Sequence, residues 1–191
     1  GGNREARWDK PIHEVDVFDP ETDTWESDHA PIKVERGYHA TAMLLPDARI
    51  LVSGTTPPSR WEERMEVYAP YYLDGDPVRP EIVDIRSGKR APDDESPQLT
   101  YGASFHVDYN NLTAEPVKAA LVRPGAMTHA FDMDQRHVWL KVIIEDDETL
   151  RCIAPPDPHV APPGYYMLFL LDGNGTPSKA AFVHLPVIPI G

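Results

Sequence analysis

Proline and glycine recur along the whole chain and limit the elements that it can form. The 191 residues include 21 prolines and 12 glycines, spread between short apolar runs rather than gathered into one tract. Proline interrupts helices and central strands, and both residues favour turns. Short apolar runs bounded by turns predict an all-β fold with many short strands. With 41% hydrophobic residues, the chain can bury one or two modest cores.

Charge and cysteine content narrow the classes of partner. The chain carries 31 acidic and 18 basic residues, a formal net charge of −13, and its Lys and Arg residues do not cluster. Because neutralising phosphates requires clustered basic side chains, we expect no nucleic-acid partner. The single cysteine, Cys152, excludes an intrachain disulfide and a multi-cysteine metal site. Its thiol is interpreted as a small buried apolar group.

No apolar run predicts a membrane span. The longest, at 165–171, reads YYMLFLL, which is strand length and far below the roughly 20 residues that a spanning helix needs. The first residues lack the charged and apolar regions of a signal peptide. If the protein is secreted, we expect its signal to lie upstream of Gly1.

Residues 1–74 have the pattern of propeller blades. The segment 13–20 reads HEVDVFDP and is followed by a turn and a strand around Trp25, which is typical of the later part of a kelch repeat. From Arg36, YHATAMLL and RILVSG predict a hairpin, and ERMEVYAP predicts a third strand. The pattern therefore indicates about one and a half blades of a kelch-type β-propeller.

An incomplete propeller needs a partner. A sheet with open edges is prone to pair with other chains, and a propeller avoids this only by packing several blades around a ring. One and a half blades do not close a ring. We therefore expect the missing propeller portion to come from a longer form of the protein, from a second chain, or from a fragment that stayed bound.

Residues 75–191 differ from residues 1–74 in the pattern of their apolar runs. Turn formers at 74–80 mark the boundary, and short β-rich runs then recur at the spacing of an immunoglobulin-like β-sandwich. The strongest local prediction is a hairpin in APPGYYMLFLLDGNGTPSKAAFV, where DGNG separates two apolar strands. His106 and His137 fall within such runs and are predicted to lie on sheet faces.

Several motifs in a fixed order resemble one enzyme family. They are YHATAMLLPDARILVSG, VYAPYYL, RPEI, RPGAMTHAFDMDQR and APPGYYMLFLLDGNGTPS. The series is similar to the C-terminal part of copper radical oxidases of the galactose oxidase and glyoxal oxidase type, from about Gly1 to Leu185. The resemblance implies oxidation of an aldehyde or a primary alcohol by O2 to give H2O2. The spelling THAFDMDQR favours the glyoxal oxidase-like branch.

The same resemblance implies a copper site. Its ligands would be Tyr38, His39 and His129, where imidazole nitrogen suits Cu(II). Tyr38 would also act as the general base, because a phenol beside a cation can accept the proton of a coordinated alcohol. Trp61 is a candidate for the wall of a substrate pocket, although a tryptophan there more often caps an apolar edge. Four residues are expected to brace the loop around His129: Thr128, Asp134, Gln135 and Arg136.

The resemblance also shows what the chain lacks. In the family a tyrosine crosslinked to a cysteine carries a radical, and Cys152, in TLRCIAPP, does not match that cysteine. The copper site would therefore be completed by residues outside this chain, and the chain alone is not expected to turn over. The alternatives are a non-catalytic module that binds carbohydrate or a cell surface, and a stable proteolytic remnant.

Overall fold

The fold is built from short strands. A computed structural model describes residues 11–55, 62–91, 95–115, 117–129 and 131–188. The prediction of an all-β fold is confirmed, since these residues form fifteen strands and a single 3₁₀ turn, Tyr71–Leu73. The strands are β1 Val17–Asp19, β2 Thr24–Glu26, β3 Thr41–Leu44, β4 Ile50–Ser53, β5 Glu66–Tyr68, β6 Glu81–Arg86, β7 Ser104–Asn110, β8 Lys118–Val122, β9 Met127–Thr128, β10 Phe131–Asp132, β11 His137–Trp139, β12 Lys141–Asp146, β13 Thr149–Ile153, β14 Gly164–Leu171 and β15 Ala181–Leu185.

The chain divides into two compact units. The first contains residues 1–45, 49–74 and 125–133, and the second contains 46–48, 75–124 and 134–191. The segment 125–133 thus belongs to the first unit although it follows eight strands in the chain. This excursion carries His129 into the same unit as Tyr38 and His39.

The described residues of the first unit form three small antiparallel sheets. Strand β1 pairs with β2, strands β3, β4 and β5 form a sheet in that order, and β9 pairs with β10. The three-strand pattern predicted from residue 38 onwards is therefore present. Two details were wrong: the first strand is only Val17–Asp19, and Tyr38 does not open β3. Tyr38 and His39 lie instead in a turn, where the positive φ of His39 is incompatible with an extended strand. Gly1, Gly2 and Trp61 lie outside the described residues.

The second unit is a β-sandwich, as predicted. One sheet has the order β11-β8-β14-β15, the other has the order β12-β13-β7-β6, and their inner faces share a hydrophobic core. Inward residues alternate along β7, whose Phe105, Val107 and Tyr109 are buried. Cys152 is fully buried in this core, and burial raises the pKa of its thiol to about 12. The interpretation of Cys152 as a small apolar group is confirmed.

Of two predicted strand segments, the structure confirms one and divides the other. The hairpin at 164–185 is confirmed, because β14 pairs with β15 from Gly164 opposite Leu185 to Leu168 opposite Ala181. Asp172 holds its turn by accepting hydrogen bonds from the N–H groups of Asn174 and Thr176 at 3.0 and 2.9 Å. By contrast, the run HVWLKVIIED is not one strand.

The chain changes sheets in the middle of that run. Strand β11 pairs with β8, whereas β12 pairs with β13 in the opposite sheet, and Leu140 lies between them. Leu140 is buried in the core and its N–H donates to the carbonyl of Ala119 at 2.9 Å. Apolar periodicity cannot reveal such a crossing, since both halves keep the same pattern. His106 and His137 lie on β7 and β11, as predicted.

Candidate metal centre

A tight turn presents the first two predicted ligands. The N–H of Ala40 donates to the carbonyl of Gly37 at 3.2 Å, so that Tyr38 and His39 are the two central residues of the turn. His39 has φ of 65°, whereas Tyr38 is not among the described residues with positive φ. This is the pattern of a type II turn, whose third position ordinarily holds glycine or asparagine. Positive φ is uncommon for residues other than glycine, and among these histidine, asparagine and aspartate adopt it most often.

A second turn presents the third predicted ligand. Strands β9 and β10 pair through Thr128 and Phe131, and His129 lies at the start of the hairpin turn that follows β9. His129 has φ of 52°. The turns favoured in such hairpins need positive φ at this position and mostly use glycine, asparagine or aspartate. Both predicted copper histidines therefore lie at positive φ in turns, as do five other non-glycine residues in the described part of the chain.

The His129 hairpin is held at its base. The carboxylate Oδ1 of Asp132 accepts a hydrogen bond from the N–H of Ala126 at 2.9 Å, and the N–H of Met133 donates to the carbonyl of Ala126 at 3.0 Å. At the tip, the Thr128 hydroxyl and His129 Nδ1 are 2.7 Å apart. Thr128 therefore braces the loop as expected.

The chain on either side of the hairpin is fixed within the second unit. The guanidinium Nε of Arg123 lies 2.7 Å from Asp134 Oδ2, and the N–H of Arg123 donates to the carbonyl of Arg136 at 2.9 Å. Asp134 and Arg136 thus make the bracing contacts that were expected of them, Arg136 through its backbone. The Arg123 side chain also lies over the ring of Tyr166, 5.7 Å from its centroid.

The two turns bring the three predicted ligands into one cluster. The ring centroids of Tyr38 and His39 are 3.9 Å apart, those of His39 and His129 are 4.5 Å apart, and those of Tyr38 and His129 are 5.9 Å apart. Tyr38 is 63% exposed, His129 is exposed and His39 is half-buried. The cluster is therefore open to a ligand.

The donor set of this cluster fits Cu(II). Two imidazoles and one phenol supply nitrogen and oxygen donors, and imidazole suits copper in tetragonal sites. In the tautomer whose Nδ1–H donates to the Thr128 hydroxyl, this bond orients the His129 ring and leaves the lone pair of Nε2 for a metal, as in supported metal-binding histidines. In the described part of the chain, no group of three or more His, Cys, Asp or Glu side chains could hold a metal. The cluster thus offers two nitrogens and a phenol oxygen.

A further set of residues around the Tyr38 turn was not predicted from sequence. Arg36, Gly54 and Thr55 surround the turn, and Arg36 is only 1% exposed although it is charged. Burial lowers the pKa of the Arg36 guanidinium, and the carboxylates of Glu62 and Glu66 oppose that shift. The one signal in the sequence is the position of Arg36, two residues before Tyr38 in a segment that the resemblance had already marked.

Sequence similarity connects this chain to a known protein family. The family described as galactose oxidase-like, Early set domain matches residues 79–185. The chain belongs to this family. The galactose oxidase-like chain is 31% identical over 175 residues to an aldehyde oxidase of Arabidopsis thaliana, covering 82% of this chain and 27% of the relative. It is 36% identical over 173 residues to an aldehyde oxidase of Vitis pseudoreticulata, covering 81% and 31%.

A solved structure gives the same relationship. A fungal alcohol oxidase of the AA5 family, in complex with copper, superposes with a TM-score of 0.75 at 28% identity and covers 91% of this chain and 36% of its own. The galactose oxidase-like chain thus spans about a third or less of the length of these proteins. The resemblance to the C-terminal part of a galactose oxidase- or glyoxal oxidase-like enzyme is confirmed. Among the described residues, no helix has the length and apolar character needed to cross a membrane.

Proposed function

We propose that this chain supplies Tyr38, His39 and His129 to the copper centre of a copper radical oxidase. The observation that carries the proposal is the clustering of the three rings, with the two imidazole centroids 4.5 Å apart, on two turns that place histidines at positive φ. Such backbone conformations cost about 1–3 kcal/mol each and persist where the surroundings impose them. The relatives named as aldehyde oxidases, and the alcohol oxidase in complex with copper, support the same function.

The substrates would be aldehydes or primary alcohols, with O2 as the oxidant. For an alcohol, two electrons and two protons pass from RCH2OH to O2, which gives RCHO and H2O2. An aldehyde reacts as its hydrate and yields the acid and H2O2 with the same balance. We assign the finer distinction between these substrates to residues outside the chain.

Each residue of the cluster has a separate role. Copper, when bound, would act as a Lewis acid on the substrate oxygen and take part in the electron transfer. His39 and His129 would hold it through their ring nitrogens. Tyr38, which is 63% exposed and stacks on His39 at 3.9 Å, would accept the proton of the substrate hydroxyl at its phenolic oxygen. Thr128 would keep the His129 ring in one orientation.

The second redox group would come from outside this chain. Cys152 is fully buried in the sandwich core, and its thiol has a pKa raised to about 12, so it is neither exposed nor ionised at neutral pH. It is therefore unsuited to be the crosslinked cysteine of the family. We propose that the remaining part of a kelch-type propeller, to which residues 1–74 contribute the last blades, supplies that group, and that the complete protein is secreted.

Copper binding by the 191-residue chain tests the ligand assignment. His129→Ala is expected to weaken Cu(II) binding by at least about 100-fold, with an unchanged circular dichroism spectrum, because one of two nitrogen ligands is lost. His159→Ala is the matched control, since the His159 side chain is 96% exposed and belongs to the other unit. Unchanged copper stoichiometry in His129→Ala would reject the assignment.

Peroxide production separates an oxidase from a non-catalytic module. The complete protein, loaded with copper, should release H2O2 when it is given aldehydes or primary alcohols in the presence of O2. A complete protein that binds copper and releases no H2O2 with either substrate class would favour the binding-module alternative.

A further inference from the structure

Arg36 is a buried charged residue next to the Tyr38–His39 turn. The guanidinium of Arg36 donates from Nη1 to the carbonyl of Gly54 at 3.3 Å and from Nη2 to the carbonyl of Val52 at 3.1 Å. These carbonyls lie in β4 and just beyond its end. These two bonds pair both terminal nitrogens of a buried guanidinium and so fix the two peptides, since leaving those nitrogens unpaired would be costly; Nε is buried without a hydrogen-bond partner. Arg36 therefore ties the residues before Tyr38 to the chain leaving β4.

The residue that follows Gly54 contacts the turn itself. The Thr55 hydroxyl accepts a hydrogen bond from the N–H of Gly37 at 2.5 Å and donates to the carbonyl of Tyr38 at 3.4 Å. Thr55 is buried, so water does not substitute readily for either bond. The Thr55 hydroxyl thus bonds to the backbone of two consecutive residues of the turn, Gly37 and Tyr38.

Gly54 allows this approach. Its φ is 73°, and a Cβ atom added at this position would lie 2.7 Å from the carbonyl oxygen of His39. Any side chain here would be strained and would also push against the turn. Arg36, Gly54 and Thr55 together form a support for the Tyr38–His39 turn.

We infer that Thr55 is a positioning residue for the candidate copper centre. Its hydroxyl fixes the N–H of Gly37 and the carbonyl of Tyr38, and so sets the direction in which Tyr38 and His39 project towards His129. The inference rests on the proposed function, since it concerns how this chain aims its own copper ligands. Supporting residues of this kind typically change metal affinity by about 10- to 100-fold when they are removed.

The experiment compares Thr55→Val, which removes the hydroxyl and keeps the shape, with Thr55→Ser, which keeps the hydroxyl. Thr24→Val is the control, because Thr24 lies on an exposed strand of the same unit. In each 191-residue chain we would measure the Cu(II) dissociation constant by chelator competition and the electron paramagnetic resonance spectrum of the bound copper. Hydrogen exchange of the Gly37 amide would be measured without metal.

Thr55→Val is expected to weaken Cu(II) binding by about 10- to 100-fold and to shift the copper spectrum, while Thr55→Ser and Thr24→Val resemble the parent. The Gly37 amide should exchange roughly 5- to 10-fold faster in Thr55→Val, as expected for the loss of one hydrogen bond. If Thr55→Val does not fold, Thr55→Ala takes its place, since it removes the hydroxyl without adding a methyl group against Gly37.

Two results would overturn the inference. One is a Thr55→Val chain whose copper affinity and Gly37 exchange both equal those of the parent. The other is a loss of copper in Thr55→Ser as large as in Thr55→Val, which would assign the effect to shape rather than to the hydroxyl. A complete protein that binds no copper would instead reject the proposed function, and the Gly37 exchange rate would still decide whether Thr55 holds the turn.

Discussion

The two units of this chain differ in how far their apolar side chains are buried. In the second unit, β14 has five consecutive buried residues, and the two four-stranded sheets share one core. In the first unit, β2 is exposed throughout and Trp25 is 67% exposed, with its ring centroid 5.1 Å from that of Phe18. The second unit thus has a hydrophobic core of its own. The first unit has exposed aromatic side chains and the cluster of candidate ligands.

The two units do not differ in the occurrence of positive φ. In the second unit Ala48, Asp76, Glu95 and Asn111 have positive φ, and in the first unit Asp23, His39 and His129 do. The units therefore differ in how many side chains they bury and in the first unit's cluster of candidate ligands.

The largest expected effect is on the sandwich core. Leu168→Ala should lower the free energy of unfolding by about 2–5 kcal/mol, because Leu168 is 0% exposed and its removal leaves a cavity. Trp25→Ala in the first unit should change it by less than about 0.5 kcal/mol, since an exposed side chain loses little burial. Urea denaturation of both variants measures the contrast, and equal losses would abolish the distinction between the units.

The next effect concerns Gly54. Gly54→Ala should destabilise the chain by about 1–3 kcal/mol and weaken copper binding, because the new methyl group meets the carbonyl of His39 as well as a positive φ. Gly75→Ala is the matched control, as Gly75 has φ of 74° with nothing within 4 Å of an added Cβ. It should show only the conformational cost, about 1 kcal/mol, and unchanged copper binding. Thermal unfolding and copper titration of the two variants would isolate the contact with His39; identical results would show that the close approach is unimportant.

The smallest predicted effect is a pH dependence from Cys152. Burial raises the pKa of its thiol from 9.0 to about 12 in the folded chain. Between these values the unfolded chain has released the proton while the folded chain retains it, so the stability contributed by the neutral thiol is complete below pH 9 and is lost as the pH rises towards 12. At pH 10 the loss is about 1 kcal/mol.

Cys152→Ala provides the comparison for that pH dependence. The difference in unfolding free energy between the parent and this variant should shrink by about 1 kcal/mol between pH 8 and pH 10, whatever the cost of the lost side chain itself. Urea denaturation at the two pH values gives the difference. A difference that is independent of pH would mean that the thiol is not protected from ionisation by the core.

Sequence patterns predicted the second unit better than the first. The β14–β15 hairpin could be found because its apolar strands are bounded by DGNG, where Asp172 and glycines make the turn chemistry explicit. The sheet change at Leu140 could not, because an apolar residue fits either a continuous strand or a crossing. The all-β class and the sandwich followed from many such local signals together.

The candidate site shows the limits of pattern reasoning more clearly. The resemblance singled out Tyr38, His39 and His129, but no rule of periodicity or propensity brings residues so distant in sequence to one place. The sequence predicts a strand start at Tyr38 and His39, because a histidine at a turn position that usually holds glycine gives no turn signal. The support from Arg36 and Thr55 depends on the register between the turn and the end of β4, which is a tertiary property.

The most direct test of the account is the electron paramagnetic resonance spectrum of Cu(II) bound to the chain. We predict a tetragonal spectrum with hyperfine coupling to two nitrogens, and its loss in the double variant His39→Ala, His129→Ala. The fold should be unchanged, as judged by circular dichroism. A spectrum without nitrogen coupling, or one that survives the double variant, would contradict the assignment of these two histidines to copper.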